Sequence, residues 1–222
     1  IRIPPIKLVL FKNANKKIES QSHAIQDLTT GLIKRILHKD DDILAINKPG
    51  GLAVQGGTKV TVHLDAALDG LKLEKKERPR LVHRLDRDTS GVLLLARSAE
   101  SARWLSAAFK ARETRKLYWA LVSGLPSEEK GIIDLALKKL SGGKGEKMKA
   151  GRDGRSAKTF YKVVDKASDQ AAWLILEPKT GRTHQLRAHT AIALETPIIG
   201  DGKYGGREAY PDGLPCTKIM QL

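Results

Sequence analysis

The 222-residue chain has one cysteine, Cys216, so no internal disulfide can form, and a lone thiol near the end makes neither a zinc site nor a redox pair. That fits a reducing compartment. No apolar run approaches the roughly 20 residues of a membrane helix, which excludes a helical span. The opening IRIPPIKLVL has two prolines and no small-residue cleavage site, so a secretory signal is not expected there. Phosphate-loop order is missing as well. KTGRT and GGKGEK hold the right residue types, yet neither G-x-x-x-x-G-K-[ST] nor a strand-G-x-G-x-x-G-helix unit occurs, which excludes NTPases and dinucleotide cofactors. A G-x-S-x-G elbow and a Cys-His pair are absent, which weighs against nucleophilic hydrolases. His184 and His189 stand five apart, off the i, i+4 spacing of a zinc clamp, and His83 with Asp86 finds no third ligand. No metal site is expected.

Acidic residues are also in deficit. Twenty-five Asp and Glu face forty Lys and Arg, leaving a formal charge of +15. Such an excess calls for a polyanionic partner, and nucleic acid is the commonest. A membrane surface would need a long amphipathic helix with Trp, Phe and Leu on one face, and none is visible. Charge alone does not say whether the chain reads, modifies or coats nucleic acid. With 41% hydrophobic and 29% charged residues, the composition is otherwise that of a soluble globular chain with a sizeable core.

Residues 1–37 read as an extended N-terminal segment ending in a short helical pattern, AIQDLTTGLIKRIL. DDILAINKPGGLAVQGG reads as a strand, Ile43 to Asn47, then a Pro-Gly-Gly turn and a second extended piece. VTVHLDAALDGLKLEKK fits a short helix. GVLLLAR is a nearly continuous apolar run, expected as a strand covered on both faces. Ser98 is placed to cap the helix SAESARWLSAAFK, whose Ala102, Leu105 and Phe109 share one face. RKLYWALVSG returns as a strand. Residues 137–158 are rich in glycine and lysine with no apolar period, so a mobile basic loop is expected, either a solvated linker or an RNA-backbone contact. TFYKVVD and AWLILEP form a hairpin pair, and THQLRAHTAIAL a helix with Thr183 as candidate cap. The sum is α+β, with short strands joined by hairpins or single helices and no regular alternation of a parallel sheet. One continuous domain over 38–222, after an N-terminal linker 1–37, is expected.

LVHRLDRDTSGVLLLA, residues 81–96, sets Asp86 and Asp88 beside Arg84 and Arg87 just before an apolar strand. Asp88 fits an Asx-turn ahead of Thr89 and Ser90. Asp86 is open to two readings, an ordinary salt-bridged aspartate or a catalytic carboxylate among phosphate-binding arginines. EPKTGRTHQLRAH is the second such constellation. Either one, alone, fits a structural turn.

HRLDRDTSG resembles the signature H-R-L-D-x-x-T-S-G of RluA-type pseudouridine synthases at every specified position. INKPGG, RKLYWALVSG and PKTGRTHQLRAH resemble that family's further motifs in order and approximate spacing, from about Asp41 to Tyr204. The resemblance implies a mainly antiparallel central sheet flanked by helices and loops, a central RNA-binding cleft, and isomerisation of uridine to pseudouridine without cofactor or metal. It implies Asp86 as the catalytic aspartate, Tyr118 as the tyrosine under the target base, and Arg182 as the arginine paired with the aspartate. Arg84 matches a residue that takes the space of the flipped nucleotide, Arg87 is expected to face RNA, and Leu186 supports the pocket wall or is simply core. Asp86 either adds covalently to sugar or uracil, or takes the ribose 2′ proton to give a glycal.

Physical chemistry agrees with these roles. Extruding a nucleotide costs a few kcal/mol, and a tyrosine face under the base returns roughly 1–3 kcal/mol. An arginine beside a carboxylate favours its ionised form. IRIPP resembles the linker after an S4-type RNA-binding domain, and the chain stops at CTKIMQL where relatives continue with further strand, so missing segments at both ends are expected. Large-subunit ribosomal RNA is the expected substrate, with transfer RNA as alternative. A monomer in a bacterial cytoplasm is expected, with an organelle matrix second. The rivals are a non-catalytic RNA-binding assembly factor, which needs no buried carboxylate, and an RNA nuclease, which would cut the strand.

Overall fold

The structure, a computed structural model, describes residues 6–57, 60–140 and 147–211, with side chains from Glu19 onward. Cys216, the IRIPP segment and the chain's last residues, to which several expectations attached, lie outside the described residues. No described helix is long and apolar enough to cross a membrane. The chain forms two compact units, Ile1–Arg87 with Gly91–Ala107, and Asp88–Ser90 with Ala108–Leu222.

The first unit opens with α1 (Ile6–Ile33), a 28-residue helix, where an extended segment was expected. Its last turns bury Leu32 and set Thr29 against Gly70, so closely that a Cβ on Gly70 would lie 2.3 Å from the Thr29 methyl. The helix ends before Lys34, and Ile36 and Leu37 belong to β1 (Ile36–Lys39). β2 (Ile43–Lys48) follows as expected, one residue longer. Between them Asp40 accepts from the amides of Asp42 and Ile43 at 2.8 and 2.7 Å. The His38 hydrogen bond and those amides hold its carboxyl at about 2. α2 (Leu64–Ala67) and a 3-10 turn (Leu68–Leu71) replace the longer expected helix. His63 caps α2 through Nδ1, and Leu73, at φ 52°, ends the helical path.

β4 (Gly91–Ala96) pairs antiparallel with β2 and with the short β3 (Arg80–Leu81), giving the sheet order β1-β2-β4-β3. Gly91 sits at φ +116°, opposite Lys48, in a region closed to most side chains. β4 buries Leu93 and Leu95, yet Val92 is 56% exposed, so only one face is covered throughout and the strand is not sandwiched as expected. Ser98 caps α3 (Ala99–Ala111): its Oγ accepts from Ser101 N–H at 3.0 Å, and Ser101 Oγ accepts in return from Ser98 N–H at 3.1 Å. Leu105 is buried, with Ala102 and Phe109 half-buried on the same face.

The second unit is built on the antiparallel sheet β5-β10-β9-β6, from β5 (Tyr118–Ser123), β6 (Lys130–Asp134), β9 (Lys158–Ala167) and β10 (Ala171–Pro178). The β9–β10 hairpin is the expected one. Ala120, Val122, Leu174, Leu176 and Tyr161 face the core, closed by Leu186 of α4 (Gln185–Ala193). The expected loop over 137–158 is largely ordered: β7 (Leu137–Lys139) and β8 (Met148–Ala150) pair antiparallel, while 141–146 lie outside the described residues. Leu137 is buried, and Gly154 passes so near it that a Cβ would meet the Leu137 carbonyl carbon at 2.7 Å.

His189 of α4 is fully buried in a polar relay. Gln185 Nε2 donates to Thr159 Oγ1 at 2.9 Å, Thr159 Oγ1 lies 2.9 Å from His189 Nδ1, and His189 Nε2 lies 3.1 Å from the Leu135 carbonyl. A carbonyl only accepts, so the ring proton sits on Nε2 and Nδ1 accepts from the threonine. Burial lowers the imidazole pKa below its ordinary 6.5. Because the folded pKa lies below the unfolded one, this stability is complete above 6.5 and is lost as pH falls from there through the lowered folded value. Melting temperature is expected to drop between pH 7 and 5, and to drop less in His189→Gln, which keeps a donor and an acceptor.

Candidate active site

The signature loop lies between β3 and β4; its His83–Arg87 part belongs to the first unit, and other parts of that unit fix it. Lys48, at the end of β2, is fully buried, and its ammonium donates to the carbonyls of Pro49 and Leu52 at 2.9 Å and of Arg87 at 3.1 Å. Three donors meet three backbone acceptors, so burying the ammonium is compensated by hydrogen bonds. Arg87 Nε donates back to the Gly51 carbonyl at 3.1 Å. The Pro-Gly-Gly turn and the signature loop are therefore laced together in both directions. Arg87, expected to face RNA, is engaged with this turn, although its side chain remains exposed.

His83 fixes the other end: its Nε2 accepts the Leu94 amide at 2.8 Å, joining the loop to β4. Leu85 is buried, while Asp86 is half-buried and Arg84 exposed. Alternation in HRLDR thus turns Leu85 into an anchor and leaves Arg84 towards solvent. Asp86 follows on a short segment held at both ends.

In the second unit Tyr118 is the first residue of β5, opposite Leu176 of β10, and packs half-buried against the core that contains Leu186. Leu186 is a core residue at 8% exposure. Arg182 lies in the turn before α4. Its amide donates to Gln185 Oε1 at 3.0 Å and its Nε to the Ser156 carbonyl at 3.0 Å. Gln185 Oε1 also accepts from Thr180 Oγ1 at 2.6 Å, and Gln185 Nε2 donates to the Lys158 carbonyl at 3.0 Å. The expected Thr183 cap is not the observed one. His184 is the N-cap residue, at φ 49° with no side-chain cap bond, because Gln185 reaches backward and closes the turn itself.

The second unit brings Tyr118 and Leu186 to one core and gives Arg182 a rigid turn beside it in sequence. Asp86, Arg84 and Arg87 belong to the first unit. Sequence reasoning passed over Lys48 and Gln185, both buried polar residues within quoted motifs. The signal for Lys48 was its place at the end of an apolar strand, directly before a proline.

A family model described as RNA pseudouridylate synthase matches residues 42–192. An uncharacterised RNA pseudouridine synthase of Zymomonas mobilis is 42% identical over 178 residues, covering 80% of this chain and 81% of that protein. The mitochondrial RNA pseudouridine synthase 4 of Arabidopsis thaliana is 42% identical over 192 residues, 77% of this chain. The chain spans only 40% of that protein's length. Ribosomal large subunit pseudouridine synthase C of Rickettsia conorii is 39% identical, over 84% of this chain and 60% of its own. Among solved structures, human RNA pseudouridylate synthase domain containing 4 superposes with a TM-score of 0.68 at 33% identity, over 81% of this chain and 72% of that one.

Proposed function

Because the chain belongs to the RNA pseudouridylate synthase family, we propose that it isomerises particular uridines in RNA to pseudouridine, with large-subunit ribosomal RNA as substrate. The observation that carries this is the mounting of Asp86. A fully buried lysine and a histidine acceptor fix the loop on both sides of a half-buried carboxylate, which a surface turn does not need.

In the proposed reaction the target nucleotide is extruded and its uracil lies on Tyr118. The N1–C1′ bond breaks, the ring turns, C5 bonds to C1′, the C5 proton leaves and N1 gains one. Every atom is conserved, so the isomerisation consumes no oxidant, reductant or cofactor. Asp86 acts as nucleophile or as base at the ribose, and either role needs its carboxylate ionised. By the family resemblance, Arg182 is assigned the role of partner to that carboxylate, Arg84 that of filling the space of the flipped nucleotide, and Leu186 that of backing the pocket wall. Residues 38–222 are assigned to the catalytic domain, with α1 (Ile6–Ile33) preceding it. The +15 charge supports RNA capture. The Rickettsia relative's name points to ribosomal RNA, and bacterial and mitochondrial relatives support a bacterial cytoplasm with an organelle matrix as alternative.

The substrate is tested by incubating the protein with unmodified large-subunit ribosomal RNA and transfer RNA and mapping pseudouridine by carbodiimide labelling and primer extension. New stops in ribosomal RNA alone are expected. Stops confined to transfer RNA would move the substrate, and tight binding without stops would favour the assembly factor.

A further inference from the structure

Tyr204 stands where three elements of the second unit meet. It packs on the small cluster of Leu137, Ala157 and Ala188, with Met148 beside it. Its hydroxyl accepts the amide of Met148, at the start of β8, at 2.9 Å. The same oxygen lies 2.9 Å from His184 Nδ1, in the turn that follows Arg182. The two rings meet edge-on, centroids 5.7 Å apart at 89°. Cations lie over the tyrosine ring: the Arg187 guanidinium carbon at 5.2 Å and Lys147 Nζ at 5.5 Å. Arg187 is itself fixed, since its Nε and Nη2 donate to the buried carboxylate of Asp201 at 2.7 and 2.8 Å.

The two elements joined through this hydroxyl differ in character. The β7–β8 hairpin carries Lys138, Lys139, Lys147 and Lys149, with Arg152 and Arg155 just beyond, and its one described carboxylate, Asp153, is taken by Lys138 at 2.6 Å. The other element is a turn whose His184 holds φ 49°, a left-handed conformation disfavoured for a residue with a Cβ. A hydrogen bond to its side chain offsets that cost and orients the turn. The amide of Met148 can only donate, so the tyrosine oxygen accepts there and has its own proton for His184.

We propose that Tyr204 is a positioning residue: its hydroxyl bonds the basic β7–β8 hairpin to the strained His184 turn, so that the element suited to grip RNA phosphates sets the direction of Arg182. The geometry stands by itself, while the catalytic consequence rests on the pseudouridine synthase reading. In this arrangement the hydroxyl donates to Nδ1, and the proton of His184 is on Nε2. Removing the hydroxyl leaves the ring, its cation contacts and its packing in place. The turn then loosens without loss of the basic hairpin, so turnover falls while RNA capture does not.

The experiment uses the full chain with Tyr204→Phe, His184→Ala and His184→Asn, read by single-site pseudouridine kinetics and by nitrogen-detected imidazole NMR. Tyr204→Phe is expected to lower kcat about tenfold, as a small misplacement does, with KM within about twofold. His184→Ala should match it. His184→Asn should restore most of the rate, because asparagine tolerates positive φ and offers its Oδ1 where Nδ1 was. The parent should show His184 Nδ1 unprotonated, and Tyr204→Phe should change that signature. A parent with the proton on Nδ1 overturns the clamp. Unchanged kcat in Tyr204→Phe overturns the positioning role, and so does an inactive His184→Asn, since that variant keeps the bond. A parent inactive on every RNA removes the catalytic half with the reading it rests on, and the imidazole signature still decides the clamp.

Discussion

Asp86→Asn is expected to lower pseudouridine formation on the order of 10³-fold while leaving RNA affinity within about twofold. The substitution keeps the side chain's size and removes its charge and basicity. Both proposed mechanisms need that charge at the ribose, so neither survives it. Affinity should hold because it comes from forty lysines and arginines spread over the chain, not from one carboxylate. Asp88→Asn is the control. If Asp88 only shapes the turn, asparagine replaces it with little loss, since both residues form Asx-turns. Loss of activity in Asp88→Asn alone would mean that the wrong carboxylate has been assigned.

Lys48→Met is expected to destabilise the protein by about 1–3 kcal/mol, because three part-buried carbonyls lose the one ammonium that they share. Methionine fills the volume of the lysine stem, so a cavity contributes little. Equilibrium urea unfolding measures the loss. The same change should slow catalysis in the protein that remains folded, since the Arg87 carbonyl that Lys48 holds lies next to Asp86 in sequence. A loss under 1 kcal/mol would show that water or relaxation satisfies the carbonyls. The ammonium would then not be what fixes the loop.

Lys48 also shows where the sequence stopped being legible. β2, β4 and the β9–β10 hairpin could be read because apolar and β-branched residues recur locally, and α3 because Ser98 precedes its stripe. Lys48 itself reads as the solvated end of a strand. Only the folded chain shows that Pro49, Leu52 and Arg87 turn their carbonyls towards it. α1 was read too short because KNANKKIESQS has no sustained apolar period, and Thr183 was read as a cap because the reach of Gln185 depends on Thr180 and Lys158. The β7–β8 hairpin has three-residue strands. Its order comes from burial of Leu137 and from Tyr204, more than fifty residues away in the chain. Asp86, Tyr118 and Arg182 were singled out through family resemblance, because a carboxylate between arginines also fits an ordinary ion pair.

The most direct test is tritium release from RNA labelled at C5 of uracil, with strand length followed on the same samples. The parent protein is expected to release C5 tritium from intact RNA, and Asp86→Asn to release none above background. Release that is equal in parent and Asp86→Asn, or strand cleavage without release, would contradict an aspartate-dependent uridine isomerase.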